Sequence, residues 1–402
     1  MTTEDHLVCT TCGAEVSIMT VPSTCLDCGG ILDVQLGTAA QAQTAASGAR
    51  EIWQWAPLLP HCSPENRISL GEAGSPLLKA ERFGAACGLE DLWIKTDSVM
   101  PTGSFKDRAI SLGTSLACEY GREALVLSSS GNAGASGAAY AARAGKPVVV
   151  LVPKTAPEAK LRQIAVTGAR LVTVDGPTSE CCRLADELAR ERGWVNLTTT
   201  FHNPYGVEAY ATIAYELAAA APDVLLLPIS SGPLLVGLMK GFSRLKAQGR
   251  IARIPRPIAV QPSACAPIAR AFSEGGGVRP WQHQTTVASA LNDTLAGYER
   301  DGDYTLEHIR ENDGAAIALD DAQTLEGVRQ AASLEGVVLE PSAAITLAAV
   351  EPLREKGVIA AENRIVVVAT GHGLKDLFHV EINLQEAIEP DTEKLLSRLA
   401  AR

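Results

Sequence analysis

Pro101-Thr102-Gly103-Ser104-Phe105-Lys106-Asp107-Arg108 reads as a turn that runs straight into a helix. Pro101 and Gly103 punctuate the chain, and Ala109 to Ala117 is a mostly apolar, helix-compatible run. Lys106 therefore stands at the mouth of a helix, with Asp107 and Arg108 beside it to orient its amine. A lysine held in this way can form a Schiff base. Taken alone, the stretch also reads as a solvated lysine at an ordinary helix start, so the surrounding sequence has to decide.

Downstream, the apolar run Ala124 to Leu127 precedes Ser128-Ser129-Ser130-Gly131-Asn132-Ala133-Gly134-Ala135-Ser136. A strand, a turn of small residues and an Ala-rich helix are expected there, and such turns aim backbone N–H groups at anions. Pro228-Ile229-Ser230-Ser231-Gly232-Pro233-Leu234-Leu235-Val236-Gly237 repeats the pattern after the run Val224 to Ile229. Ser230 adds a hydroxyl donor, whereas Pro233 removes a backbone one. Arg364 to Ala369 reads as a buried strand entering Thr370-Gly371-His372-Gly373-Leu374-Lys375-Asp376. Further strand-like runs lie at Leu92 to Ile94, Pro147 to Val152, Arg170 to Val174, Trp194 to Leu197, Pro257 to Val260 and Val337 to Leu339, with helix-compatible stretches between them. Continuous Val/Leu/Ile strands alternating with helices predict an α/β protein with parallel sheets covered on both faces. Two doubly wound sheets would place a ligand at the carboxyl ends of their strands.

With these motifs in order, the chain resembles the fold type II pyridoxal-phosphate enzymes, and within them the threonine synthases and their close relatives. The likeness runs from about Gly71 to Asp376. It includes Gly71-Glu72-Ala73-Gly74-Ser75-Pro76-Leu77, the lysine motif, the Ser-Gly-Asn turn, Asn203-Pro204-Tyr205, and Glu335-Gly336 followed by Glu340-Pro341-Ser342-Ala343. The resemblance implies the tryptophan synthase β-like architecture, with an N-terminal α/β domain over 51–205 and a C-terminal one over 206–402. It also implies roles. Lys106 would carry the cofactor aldehyde and act as the base, and Asn132 would bond the ring hydroxyl. Ser230, Ser231, Gly232, Leu234 and Leu235 would hold the phosphate, and the Thr370 hydroxyl would face the ring nitrogen. Backbone groups of Ser130, Gly131, Asn132 and Ala133 would hold the substrate carboxylate. Two departures flank these motifs: Met100 stands where the family usually has Asn, and Ala209-Tyr210 where Gly and a basic or polar residue are usual.

The N-terminal region carries a separate signal. Cys9-Thr10-Thr11-Cys12 and Cys25-Leu26-Asp27-Cys28 are each followed by glycine, the spacing of two knuckles that share one tetrahedral zinc. A structural zinc ribbon over 1–36 is expected; a ribbon folded without metal, or a redox pair, are the other readings. Residues 37–50, rich in Ala, Gln, Thr, Ser and Gly, read as a linker.

The 402 residues carry a formal net charge of −11, with 46% hydrophobic and 20% charged residues. That balance offers no global attraction to nucleic acid or anionic membrane, and residues 1–36 hold no Lys or Arg at all. No uncharged run is long enough to span a bilayer, and the first residues lack the pattern of a signal peptide. The ten cysteines are therefore expected as cytoplasmic thiols, apart from any metal ligands. The expected protein is a cytoplasmic lyase, a homodimer, acting on a phosphorylated amino acid: O-phosphohomoserine and water to threonine and phosphate. A serine/threonine dehydratase and a phosphoserine β-replacement synthase are the enzymatic alternatives. A zinc-ribbon interaction protein with a retained core is the non-enzymatic one.

Overall fold

In the computed structural model, the described residues are 4–37, 50–156, 158–282, 285–376, 387 and 390–400. The linker expected over 37–50 thus lies, but for its two end residues, outside the described residues.

Three sheets organise the chain. The first is the small antiparallel sheet β2-β1-β3, formed by β1 (His6–Cys9), β2 (Glu15–Ser17) and β3 (Leu32–Gln35). The remaining strands are β4 (Leu77–Lys79), β5 (Leu92–Lys95), β6 (Leu125–Ser128), β7 (Val148–Pro153), β8 (Arg170–Val174), β9 (Val195–Asn196), β10 (Val224–Pro228), β11 (Arg256–Pro262), β12 (Ala315–Leu319) and β13 (Ile365–Val368). They form a four-stranded parallel sheet, β8-β7-β6-β9, and a six-stranded sheet, β12-β11-β10-β13-β5-β4, in which only β4 runs antiparallel. Every residue of β6, β10 and β13 is buried, as two-sided helix cover requires, while the edge strand β8 is largely exposed.

The strand pairing changes the expected division at residue 205. The expected N-terminal domain includes β4 and β5, yet β5 pairs with β13 over Leu92↔Ile365 to Lys95↔Val368 and belongs to the sheet of the C-terminal strands. The chain enters the larger sheet, crosses to build the smaller one, and returns. This crossing sets Lys95 beside Val368, so the loops that follow each strand leave the sheet side by side.

Two strand readings are corrected. Val337–Leu339 is no sheet strand: the preceding helix, Asp321–Glu335, ends at Gly336 with φ 68°, and Pro341 begins another helix. Only Leu339 pairs, in an isolated bridge to His372. Conversely, Ala315–Leu319, an apolar but Ala-rich run not expected as a strand, joins the sheet beside β11.

Trp53, Trp55, Leu58 and Leu59 are buried in one core cluster with Leu7, Leu32 and Val34 of the small sheet, so the N-terminal unit is seated on the main body. Lys240, paired with both Asp33 and the buried Glu208, and Arg300, donating to the Gly29 carbonyl at 2.6 Å, tie it there.

Candidate active site

Lys106 is the first residue of the helix Lys106–Glu119. The loop before it pairs with the turn after β13: the Phe105 amide donates to the Thr370 carbonyl at 2.9 Å and the His372 amide to the Gly103 carbonyl at 2.9 Å. On the other side of that turn, the Glu340 amide donates to the Gly371 carbonyl at 3.1 Å and the Gly373 amide to the Val338 carbonyl at 3.0 Å. Three segments far apart in sequence thus form one short ladder. Asn132, the first residue of the helix Asn132–Ala144, joins it by donating from Nδ2 to Glu340 Oε1 at 2.8 Å. A Cβ on Gly371 would collide with the Glu340 carboxylate, so glycine is what allows this close approach.

The amine of Lys106 lies against the Phe105 ring, 4.5 Å from its centroid, and the Tyr210 ring packs on Phe105 at 5.0 Å. Tyr210, one of the departures in sequence, therefore supports the floor beneath the lysine. Desolvation lowers the Lys106 pKa from 10.5 to about 8, with Glu340 and Asp293 pulling it back up.

Asp107 and Arg108 do not serve the amine directly, contrary to expectation. Asp107 accepts from the Thr102 amide (2.7 Å), the Thr102 hydroxyl (2.5 Å) and the Ser136 hydroxyl (2.6 Å). Burial raises its pKa to about 6 while those bonds draw it down. Arg108 is fully buried between Asp97 (2.7 Å) and Glu216 (2.6 Å), and Lys95 reaches the other Glu216 oxygen at 2.5 Å. Both residues fix the turn and the helix that present Lys106.

The loop after β10 has the features of an anion cradle. Ser231 is fully buried and its Oγ has no partner among the described residues. Gly232 has φ 106°, which favours glycine, and a Cβ there would run into Thr305. The Thr305 hydroxyl holds the Ser231 carbonyl at 2.6 Å, and Gln261 Nε2 holds the Ser230 carbonyl at 3.2 Å, so both carbonyls already have donors. Leu234 and Leu235 lie in the first turn of the helix Pro233–Ala247, where amides have no intrahelical acceptor. A second such turn, Ser130 to Ala133, caps the helix of Asn132; there the Gly131 amide is already engaged with Ser129 Oγ at 3.2 Å. An orphaned hydroxyl beside free amides, a partly desolvated lysine and a buried Thr370 (4% exposed) are a donor set that fits pyridoxal phosphate.

Asp293 was not found from sequence. It lies in an irregular segment without periodicity, accepts from Tyr298 Oη at 2.7 Å and the Leu295 amide at 3.1 Å, and has its pKa raised by burial. Tyr298 also lines a cavity of about 400 Å³ walled by Gly29 and Ile31, by Cys182 and Asp186, and by Asp301.

In the N-terminal unit the four sulfurs of Cys9, Cys12, Cys25 and Cys28 lie within 4.8 Å of one another. Cys9 and Cys28 are 3.5 Å apart and Cys12 and Cys25 3.7 Å. Sulfurs bound about 2.3 Å from one tetrahedral zinc sit about 3.8 Å apart, so the cluster could hold such an ion. Gly13 and Gly29, both with positive φ, close the two knuckles by donating to the Cys9 and Cys25 carbonyls.

Comparison with known proteins agrees with this geometry. The chain is 32% identical to the threonine synthase of Methanosarcina acetivorans over 381 residues, 92% of each chain, and 30% identical to that of Methanocaldococcus jannaschii over 379 residues, again 92% of each. Among solved structures, maize serine racemase superposes with a TM-score of 0.65 at 22% identity, covering 81% of this chain and 91% of its own. The threonine deaminase isoform 2 of Solanum lycopersicum does so with a TM-score of 0.64 at 21% identity, covering 81% and 82%. At those identities the likeness speaks to the fold alone. The family profile described as pyridoxal-phosphate dependent enzyme matches residues 68–371, a span that contains Lys106, Asn132, the loop after β10, Glu340 and Thr370, and the chain belongs to that family.

Proposed function

We propose that the protein is a threonine synthase-like lyase that converts O-phosphohomoserine and water to threonine and phosphate. The observation that carries the reading is the convergence of Lys106, Asn132, Glu340 and Thr370 on one short ladder, in a chain similar to threonine synthases over nearly its whole length. Lys106 is the covalent anchor, and its depressed pKa leaves a useful fraction of neutral amine near pH 8 to take a proton from Cα and pass protons to the side-chain carbons. Asn132, whose Nδ2 is held by Glu340, would be the partner of the ring hydroxyl. Ser230, Ser231, Gly232, Leu234 and Leu235 bind the phosphate through amides and the free Ser231 hydroxyl. Amides of Ser130, Asn132 and Ala133 bind the substrate carboxylate. When bound, pyridoxal phosphate supplies the electron sink for a carbanion at Cα. The Thr370 hydroxyl is the residue that would face the ring nitrogen, and, unlike a carboxylate, it would not favour a proton there. Over the whole reaction the Cγ–O bond breaks and phosphate departs, Cβ loses a proton and takes the hydroxyl of water, and Cγ gains a proton.

The test is a steady-state survey with a spectrum. The purified protein should show a visible cofactor band that borohydride bleaches, Lys106→Ala should lack it, and phosphohomoserine should yield phosphate. Release of a 2-oxo acid from serine or threonine would instead support the dehydratase, and turnover of phosphoserine with an added nucleophile the replacement synthase. A Lys106→Ala protein that keeps the band would sink the assignment of that lysine.

The same reading gives the N-terminal unit one structural zinc on Cys9, Cys12, Cys25 and Cys28. Metal analysis should find about one zinc per chain, and Cys25→Ser should lower the melting temperature more than it lowers kcat. Protein purified without chelator that holds no metal would remove the ion. The working form is taken to be a cytoplasmic homodimer. All ten cysteines are free, and no helix among the described residues is long and apolar enough to cross a membrane.

A further inference from the structure

Arg50, Arg67 and Arg143 line one surface cavity of about 550 Å³, together with Glu51 and the loop Ile68 to Gly71. In a chain of net charge −11, three guanidinium groups around one concavity with a single carboxylate form a local reversal of sign. Arg67 is held in place: its Nε donates to the Cys62 carbonyl at 3.0 Å, and its guanidinium lies 5.2 Å from the Trp53 ring centroid. Among the described residues, its terminal nitrogens and the guanidinium groups of Arg50 and Arg143 have no hydrogen-bond acceptor. Like charges facing one hollow repel, and an anion placed among them relieves that repulsion. The planar fork of arginine suits the paired oxygens of a phosphate group, and the volume suits a small organic phosphate.

The cavity floor is wired to both helices that open at the active site. Glu72, fully buried, accepts from Ser69 Oγ (2.9 Å) and from the Leu70 (2.9 Å) and Gly71 (3.1 Å) amides of the lining loop. It also accepts from Ser111 Oγ at 2.8 Å, on the helix that begins with Lys106, and from Tyr140 Oη at 2.9 Å, on the helix that begins with Asn132. Ser111 Oγ further bonds the Ile68 carbonyl at 2.7 Å, and the Ile68 amide donates to Ser115 Oγ at 2.8 Å. Arg143 sits in the last turn of the Asn132 helix.

We propose that this arginine cavity binds a small phosphorylated ligand, separate from the substrate, and that its occupancy changes turnover through the Glu72 network and the two helices. Pyrophosphate is the probe and citrate the carboxylate control, both titrated into the holoenzyme by calorimetry. Pyrophosphate should bind saturably, more tightly than citrate and less tightly as salt rises. Arg50→Glu and Arg143→Glu, both at exposed positions, should each weaken it by about tenfold or more, the scale of one charge-assisted hydrogen-bond pair, while the cofactor band stays unchanged. Saturating pyrophosphate should shift kcat or KM of the wild type by about fivefold, and leave Arg143→Glu unaffected. No saturable binding, binding indifferent to both substitutions, or displacement of pyrophosphate by the amino-acid substrate would overturn the site. Binding with no kinetic consequence would overturn its coupling to the helices. The calorimetric arm does not depend on which reaction the enzyme performs, so its failure is distinct from failure of the proposed activity.

Discussion

Lys106 carries an ammonium where the fold disfavours one. Its pKa falls from 10.5 to about 8 because desolvation outweighs the attraction of Glu340 and Asp293. Between those two values the folded chain binds fewer protons at this site than the unfolded chain, so stability rises with pH across that window and the burden is full below it. In cofactor-free protein, the stability of the wild type relative to Lys106→Met should therefore climb from pH 8 to pH 10.5, measured by urea unfolding. A flat difference would mean that the amine is as hydrated as a surface lysine. The place of Lys106 at a helix start was legible from the turn, and the motifs further along the chain singled it out. Its environment was not: Asp293 sits in an irregular segment, and Tyr210 reads in sequence only as a departure from the family. Both act through space, on a residue far away in the chain.

At the scale of elements, the turn Thr370 to His372 is the joint of the site, since its two edges pair with the lysine loop and with Leu339 and Glu340. Gly371 is its tightest point. Gly371→Ala should drive the Glu340 carboxylate, itself only 6% exposed, out of its place beside Asn132. A loss of about 2–3 kcal/mol is expected, read as a drop in melting temperature, with weaker cofactor retention. Unchanged stability would show that the carboxylate has room to move. The strand-turn-helix units at Asn132 and Ser231 could be read from their small residues and apolar flanks, because local turn chemistry encodes them. Val337 to Leu339 misled for the converse reason: three apolar residues suit a strand, but a left-handed Gly336 and a helix-starting Pro341 leave room for one bridge only.

For the molecule as a whole, the lysine helix is locked to the larger sheet by charges taken out of water. Arg108 joins Asp97 and Glu216, and Lys95 of β5 shares Glu216. Arg108→Met would leave the buried Asp97 without a cation and Glu216 with Lys95 alone, and should cost about 3–5 kcal/mol by urea unfolding. Although burial pushes the Glu216 pKa up, Arg108 and Lys95 hold it down from 4.5 to about 2. Its contribution is thus full above pH 4.5 and lost as pH falls toward 2, and in Arg108→Met that acid-side loss should shrink. A variant with wild-type acid sensitivity would remove Arg108 from that role. By itself the sequence determined the class of the fold, the position of the lysine, both strand-turn-helix loops and the cysteine pairs, because period, turn residues and spacing are local. Only the tertiary structure decided that β4 and β5 join the C-terminal sheet, that Glu340 is the partner of Asn132, that Asp107 and Arg108 face the core, and that three scattered arginines meet at one cavity. Those outcomes depend on strand order and on contacts between distant segments, and no local pattern of residues records them.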